Sequence, residues 1–271
     1  MRIARFSYKG NVQYGFVQYD ESQEQDYIVA LSGYPLSGAR VEPTGERYAL
    51  DADGLRLLAP VIPSKVYGLA KNYEAHAQFM HEKGQSDVAH APENMMIFMK
   101  PSTSVIGPDD PIVMPAGDHD MNYEPELAVV IGKIAKNVPV EQAMDYVLGF
   151  TCVNDVTLRD AQGGDPMWTR AKGFDTSCPL GPWIETEVNW RDAHISFALN
   201  GEDVPNASGT TADLIHGIPE QIASISSFAT LLPGDVIMTG TPYAYGSLKP
   251  GDEAVVRVDS IGELRNVVVQ G

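Results

Sequence analysis

The sequence predicts a mixed α+β protein in which strands predominate. Three observations carry that expectation. Short runs of β-branched and apolar residues recur along most of the chain, only two segments have helical periodicity, and the two kinds do not alternate as a parallel doubly wound sheet requires. At about 150 residues per domain, 271 residues make one large domain, or one domain with a small appendage.

Taken in order, Ile3, Phe6 and Tyr8 precede a Gly10-Asn11 turn, after which Val12, Tyr14 and Phe16 alternate with smaller or polar residues, the pattern of a hairpin. A loop-rich stretch with Gly33, Pro35, Gly38, Pro43 and Gly45 ends in the apolar run 55–60. The boundary between a small strand-rich N-terminal unit (1–60) and the main domain (61–271) is placed there. Further strands are expected at 65–69, 95–100, 127–131, 150–154, 195–199, 235–239, 254–258 and 266–269. One helix is expected where Val140, Ala143, Met144, Val147 and Leu148 recur, with Gly149 as its stop. A second carries Ile222, Ile225, Phe228 and Leu232 behind Pro219 and ends at Pro233-Gly234. The polar segment 74–94, with His76, His81 and His90, suits either an active-site lid or a solvated surface loop.

Composition narrows the function. Lys and Arg number 19 against 36 Asp and Glu, a net charge of −17, which disfavours nucleic acid and anionic lipid as partners because both are bound chiefly through basic side chains. The N-terminus lacks a signal-peptide apolar run and no stretch is long and apolar enough to span a bilayer, so a cytoplasmic protein is expected. Cys152 and Cys178 are too few for a disulfide framework, have no CxxC spacing, and read as small buried hydrophobes.

The chemistry is concentrated in acids. Glu124 and Glu126 flank Pro125 at the entry to an apolar strand, and residues two apart on a strand project to the same face. Two carboxylates about 4 Å apart at an effective dielectric of about 20 repel by roughly 4 kcal/mol, which favours a bound cation or a retained proton. Asp155, at the end of the apolar strand 149–154, offers a third oxygen ligand, and an all-oxygen set suits Mg²⁺ or Mn²⁺ better than Zn²⁺. Arg159, Arg170 and Lys172 form a local cationic patch fit for an anionic substrate, and a lysine beside a metal can stabilise an oxyanion. Thr239-Gly240-Thr241-Pro242 offers a turn able to grip a carboxylate, and His76 is a candidate general base.

These segments together resemble the fumarylacetoacetate hydrolase family. The matching motifs are Lys71-Asn72-Tyr73 with His76, residues 98–102, 123–133, Asn154-Asp155-Val156-Thr157 through Arg159 and Gln162, residues 172–176 with 179–183, and Leu232-Pro233-Gly234-Asp235 with 239–242. The resemblance implies a mixed β-roll, a homodimer, and Mg²⁺ or Mn²⁺ held by Glu124, Glu126 and Asp155. It also implies that Lys172 and Gln162 polarise a small anionic 2-oxo acid, Arg159 and Thr241 hold it, and His76 acts as base. One position departs from the family: the glutamate often found three residues after that histidine is Phe79 here, and Glu82 is the candidate substitute. Family activities are hydrolysis of acylpyruvates, as in aromatic catabolism, decarboxylation of oxaloacetate, and double-bond isomerisation of dienedioates. The leading expectation is hydrolysis of a fumarylpyruvate-like acylpyruvate through a metal-stabilised enolate. Oxaloacetate decarboxylase or 2-hydroxyhepta-2,4-diene-1,7-dioate isomerase activity is the alternative, and a non-catalytic metal-binding protein of the same fold is a further one.

Overall fold

The computed structural model describes all of residues 1–271. Strands dominate it and helices are few and short. The largest sheet has 12 strands. Its central part pairs Cys178–Glu185, Val147–Asn154, Pro125–Ile131, Val236–Met238, Val66–Ala70 and Met96–Lys100 in that order. The N-terminal strands Arg2–Tyr8, Asn11–Asp20, Gln25–Leu31 and Pro43–Ala49 extend this sheet, because Arg2 and Ile3 pair with Glu185 and Ile184. The N-terminal unit is therefore hydrogen-bonded into the main sheet. A second sheet of six strands, including His194–Leu199, Glu253–Val258 and Gly262–Gln270, packs across the strands Pro125–Ile131 and Val147–Asn154.

The strand Pro125–Ile131 is buried along its whole length, as expected of a run apolar on both faces. Its odd-numbered side chains Leu127, Val129 and Ile131 join a core of 38 buried residues. The even-numbered Ala128 and Val130 join a smaller core of 12 with Val153, Leu180, Val236 and Met238. Glu126 has the parity of that second face, so the carboxylate follows the smaller core to the end of the sheet.

Six of the expected strands in the main domain appear within a residue or two at each end, while 150–154 and 266–269 are longer than expected, as Val147–Asn154 and Gly262–Gln270. The helix expected around Val140 is instead a short 3-10 turn, Val140–Tyr146, and Val147 and Leu148 already belong to the next strand. Gly149 is thus not a helix stop. It lies inside that strand because a side chain there would collide with its neighbour: an added Cβ would sit 2.5 Å from the Glu185 carbonyl oxygen and 2.7 Å from Ile184 Cγ2. The second helix is present as Ile218–Phe228, with Leu232 beyond its end. In the segment 74–94, residues Glu74–Glu82 form an α-helix whose buried face carries His76, Ala77 and Met80, so its first part is a packed element and not a loop. Cys152 and Cys178 are both buried and free.

Gly149→Ala should destabilise the protein by about 1–3 kcal/mol through overpacking, read as a lower urea midpoint. An unchanged midpoint would mean the two strands separate without cost.

Candidate metal centre and active site

The three acids meet through strand register. Pro125 pairs with Asn154, and Glu126 with Val153. One step further along the same ladder stand Glu124 and Asp155, whose backbones remain joined by a 2.9 Å hydrogen bond from Asp155 N to the Glu124 carbonyl. Asn154 also accepts a 3.0 Å hydrogen bond from Glu124 N on its side-chain oxygen, which fixes the entry to the strand. One carboxylate oxygen from each of Glu124, Glu126 and Asp155 lies within 4.8 Å of the others, and all three residues are buried.

Their charge is partly balanced by three buried cations. Lys172 Nζ lies 2.6 Å from Glu124 Oε2 and 2.5 Å from Asp155 Oδ2. Arg159 Nη2 hydrogen-bonds to Glu124 Oε1, its Nη1 donates to Gln162 Oε1 at 2.9 Å, and its guanidinium lies 3.7 Å from the Tyr245 ring centre. Lys100, which has no exposed surface, donates to Val156 O, Ser177 O and Ser177 Oγ, so its three hydrogens are taken. Its ammonium is 2.8 Å from Asp155 Oδ1, which receives charge compensation from it but no directed hydrogen bond. Burial pushes the Glu124 carboxyl up, but Arg159, Lys172 and His76 outweigh it and hold the group below its ordinary range. Burial, reinforced by Asp155 and Glu124, raises Glu126 well above that range. Burial works against the charge on Lys172, yet Asp155 and Glu124 raise its pKa.

This donor set fits a hard divalent cation. Three carboxylates converge, Asp155 Oδ1 is buried without a hydrogen-bond donor, and Glu126 holds its charge only against two neighbouring negative charges, a conflict that a cation relieves. Glu126 Oε2 is positioned by a 2.6 Å hydrogen bond from Gly240 N. That approach requires glycine, since φ is +104° and an added Cβ would come within 3.0 Å of Asn72 Cβ. Asn72 ties the same loop down by donating to Thr239 O at 2.9 Å.

The remaining predicted residues divide cleanly. His76, Arg159, Gln162, Lys172 and Thr241 line one inner cavity of about 20 Å³ together with the three acids. His76 Nδ1 donates to the Tyr243 carbonyl at 2.6 Å, which leaves Nε2 with the lone pair, 4.0 Å from Glu124 Oε1. Burial lowers the His76 pKa to about 4 against the pull of Glu124, so the imidazole is neutral. Thr241 Oγ1 is buried without a partner. Glu82 is the exception: it ends the helix exposed to solvent and is not part of the cavity wall, so it does not replace the missing glutamate. Six positions separate it from His76, and at 100° per residue they face different sides of the helix. Phe79 fills the adjacent turn, with its ring centre 5.8 Å from that of Tyr243 and 5.1 Å from that of Tyr245. In the sequence Lys100, Lys71 and Trp168 carry no role of their own. Lys100 had a signal, a lysine closing an apolar strand, while Lys71 had none outside its motif and Trp168 had none.

The fumarylacetoacetate (FAA) hydrolase C-terminal family matches residues 65–269. The chain belongs to the fumarylacetoacetate hydrolase family. Residues 1–60 match a separate family, the Rv2993c-like N-terminal one. The mixed, strand-rich architecture is that of the fumarylacetoacetate hydrolase fold. The rat mitochondrial oxaloacetate tautomerase Fahd2a is 37% identical over 246 residues, 86% of this chain and 76% of that protein. A 5-carboxymethyl-2-hydroxymuconate delta-isomerase from Mycobacterium smegmatis superposes with a TM-score of 0.87 at 37% identity over the full length of both chains. The maleylpyruvate hydrolase of Sphingobium sp. SYK-6, solved with manganese(II) and pyruvate, gives 0.74 at 30% identity, again over both full chains. The chain is thus a member of an enzyme family that includes isomerases, tautomerases and hydrolases, and its acidic triad is suited to a divalent metal.

Glu126→Gln keeps an acceptor for Gly240 N but removes one negative ligand. Its Mn²⁺ affinity, measured by calorimetry, should fall by more than about 100-fold, beyond the usual effect of losing an outer-shell partner. Mn²⁺ at about 100 times Kd should stabilise the wild type by about 2.7 kcal/mol and leave this variant's melting temperature unmoved. Equal affinity in the two proteins would remove Glu126 from the ligand set.

Proposed function

We propose that the protein catalyses a proton shift in a small 2-oxo acid, as a tautomerase or double-bond isomerase, in preference to hydrolytic cleavage of an acylpyruvate. The observation that carries this reading is the environment of His76. Its Nδ1 is committed to a backbone carbonyl, Phe79 occupies the neighbouring turn, and the lid acid Glu82 faces solvent. A histidine in this setting can take a proton on Nε2 and return it. Hydrolysis asks in addition for a water that is deprotonated and aimed at a carbonyl carbon, which a second acidic group beside the histidine would support. A tautomeric or allylic shift requires no such water.

In this reading Arg159, held rigid by Glu124, Gln162 and the Tyr245 ring, and Thr241, with its unpaired buried hydroxyl, grip the carboxylate end of the substrate. Lys172 stabilises negative charge that develops on the 2-oxo oxygen, and Gln162 orients that end. His76 Nε2 accepts the proton from carbon and delivers it to the new position. A divalent cation, Mg²⁺ or Mn²⁺, held by Glu124, Glu126 and Asp155 would supply Lewis-acid stabilisation of the same negative charge. The names of the rat tautomerase and the Mycobacterium smegmatis isomerase, each at 37% identity, support this class of chemistry.

A second reading, acylpyruvate hydrolysis, is favoured by the likeness to the manganese-bound maleylpyruvate hydrolase at 30% identity. A substrate panel with Mg²⁺ and Mn²⁺ separates the two. The enol form of oxaloacetate should convert to the keto form at an enzyme-dependent rate, followed by ultraviolet absorbance, while fumarylpyruvate and acetylpyruvate remain uncleaved. His76→Gln should lower kcat by about 10²- to 10⁴-fold, the usual contribution of a positioned base. Cleavage of an acylpyruvate with no tautomer conversion would replace the first reading by the second.

A further inference from the structure

The inner cavity opens into an outer one of about 570 Å³, and the two share Lys71, Met80, Arg159, Gln162 and Trp168 as wall. The inner volume of about 20 Å³ accommodates little beyond the reacting end of a substrate. Whatever else the substrate carries must lie in the outer cavity. The identity of that remainder is legible from the cations in the wall.

Four cationic or basic side chains face the two cavities: His76, Arg159, Lys172 and Lys71. The first three are committed, His76 to the Tyr243 carbonyl, Arg159 to Glu124 and Gln162, and Lys172 to Glu124 and Asp155. Lys71 alone has no acidic partner. Its ammonium donates one hydrogen bond, 2.7 Å, to the hydroxyl of Ser86, which itself donates onward to Val88 O. Two of its three N–H donors are therefore free to meet a ligand. The side chain is half-buried, and burial lowers its pKa against the opposing influence of Asp87, an exposed acid on the outer wall. The backbone holds Lys71 in the left-handed region at φ +54°, between the strand Val66–Ala70 and the helix Glu74–Glu82, a conformation that few non-glycine residues adopt. In a chain of net charge −17, an unpaired ammonium on a cavity wall is a conspicuous anion receptor.

We propose that Lys71 is a specificity-determining residue that binds a second, distal carboxylate, so that the preferred substrates are dianionic 2-oxo acids and not 2-oxo monocarboxylates. The inference rests on the proton-shift reading for the reacting end alone. The chain carbons between the two acid groups lie along Met80 and Trp168, which supply apolar wall on the path from the inner to the outer cavity. Arg159 does not serve in place of Lys71: three of its five N–H donors are taken by Asn122, Gln162 and Glu124 and its face by Tyr245, and the two that remain are assigned to the carboxylate at the reacting end.

A binding experiment tests this independently of turnover. Calorimetry of the Mn²⁺-loaded enzyme compares 2-oxoglutarate with 2-oxopentanoate, which share a five-carbon 2-oxo chain and differ in a distal carboxylate against a methyl group. The wild type should bind the dianion at least about tenfold more tightly, the usual scale of a charge-assisted hydrogen bond. Lys71→Met should reduce that preference to within about twofold by weakening the dianion only, and Lys71→Arg should retain most of it. Because of the left-handed backbone, Lys71→Asn provides a second charge-removing variant at a residue type that tolerates this conformation, and it should behave as Lys71→Met does. Equal affinity of the wild type for the two acids, failure to bind either, a preference that survives in both charge-removing variants, or parallel loss of both ligands overturns the assignment. Loss of the preference in an enzyme that turns over no oxaloacetate would uphold the Lys71 assignment and reject the proton-shift reading.

Discussion

Three carboxylates in a cavity nearly closed to solvent impose the constraint on which the rest of the centre depends. Such a cluster is unstable unless its charge is compensated, and water is not there to do it. The protein answers with cations at fixed positions: Lys172 between Glu124 and Asp155, Arg159 against Glu124, and Lys100 beneath Asp155. Each belongs to a different stretch of chain, so the centre welds the sheet to the short helices Arg159–Gln162 and Thr169–Lys172. The compensation stops short of Glu126, whose raised pKa marks the charge that a bound cation would stabilise.

The same arrangement explains why the centre can be both rigid and reactive. Glu124 and Asp155 are cross-strand neighbours, fixed by ladder hydrogen bonds, and Glu126 is locked by Gly240. A ligand set on strand backbones cannot collapse inward to relieve its own repulsion, so the repulsion remains available for binding a cation. The groups proposed to act on substrate come from other elements: His76 from a helix, and Thr241 from the loop after Val236–Met238, whose Tyr243 carbonyl holds His76 Nδ1.

Around His76 the chain has chosen an aromatic wall where an acid would otherwise stand. Phe79, Tyr243 and Tyr245 pack edge to face, and Tyr245 also supports Arg159. Burial of His76 keeps the imidazole neutral, a state that suits the proton shift proposed for this site.

Much of the centre was legible in the linear chain. The spacing of Glu124 and Glu126, the apolar strand behind them and an aspartate closing another apolar strand pointed to an oxygen-rich metal site, and strand parity is enough to put the two glutamates on one face. The sequence also marked His76, Arg159, Gln162, Lys172 and Thr241, through motifs that are specific only in combination. It misplaced Glu82, since a residue's side of a helix cannot be assigned while the segment reads as a loop, and it took Gly149 for a helix stop when the reason for that glycine is the carbonyl of Glu185 on a neighbouring strand. Lys100 and Lys71 drew no role because a lysine looks like surface until its partners are known. One turned out to be wholly buried with all its hydrogens spent, the other half-buried with two of them free. Local pattern determines which residues share a face of one element. Which of those faces meet, and which charges are left without a partner, depends on contacts across as many as 185 positions of chain, and only the folded structure decides it.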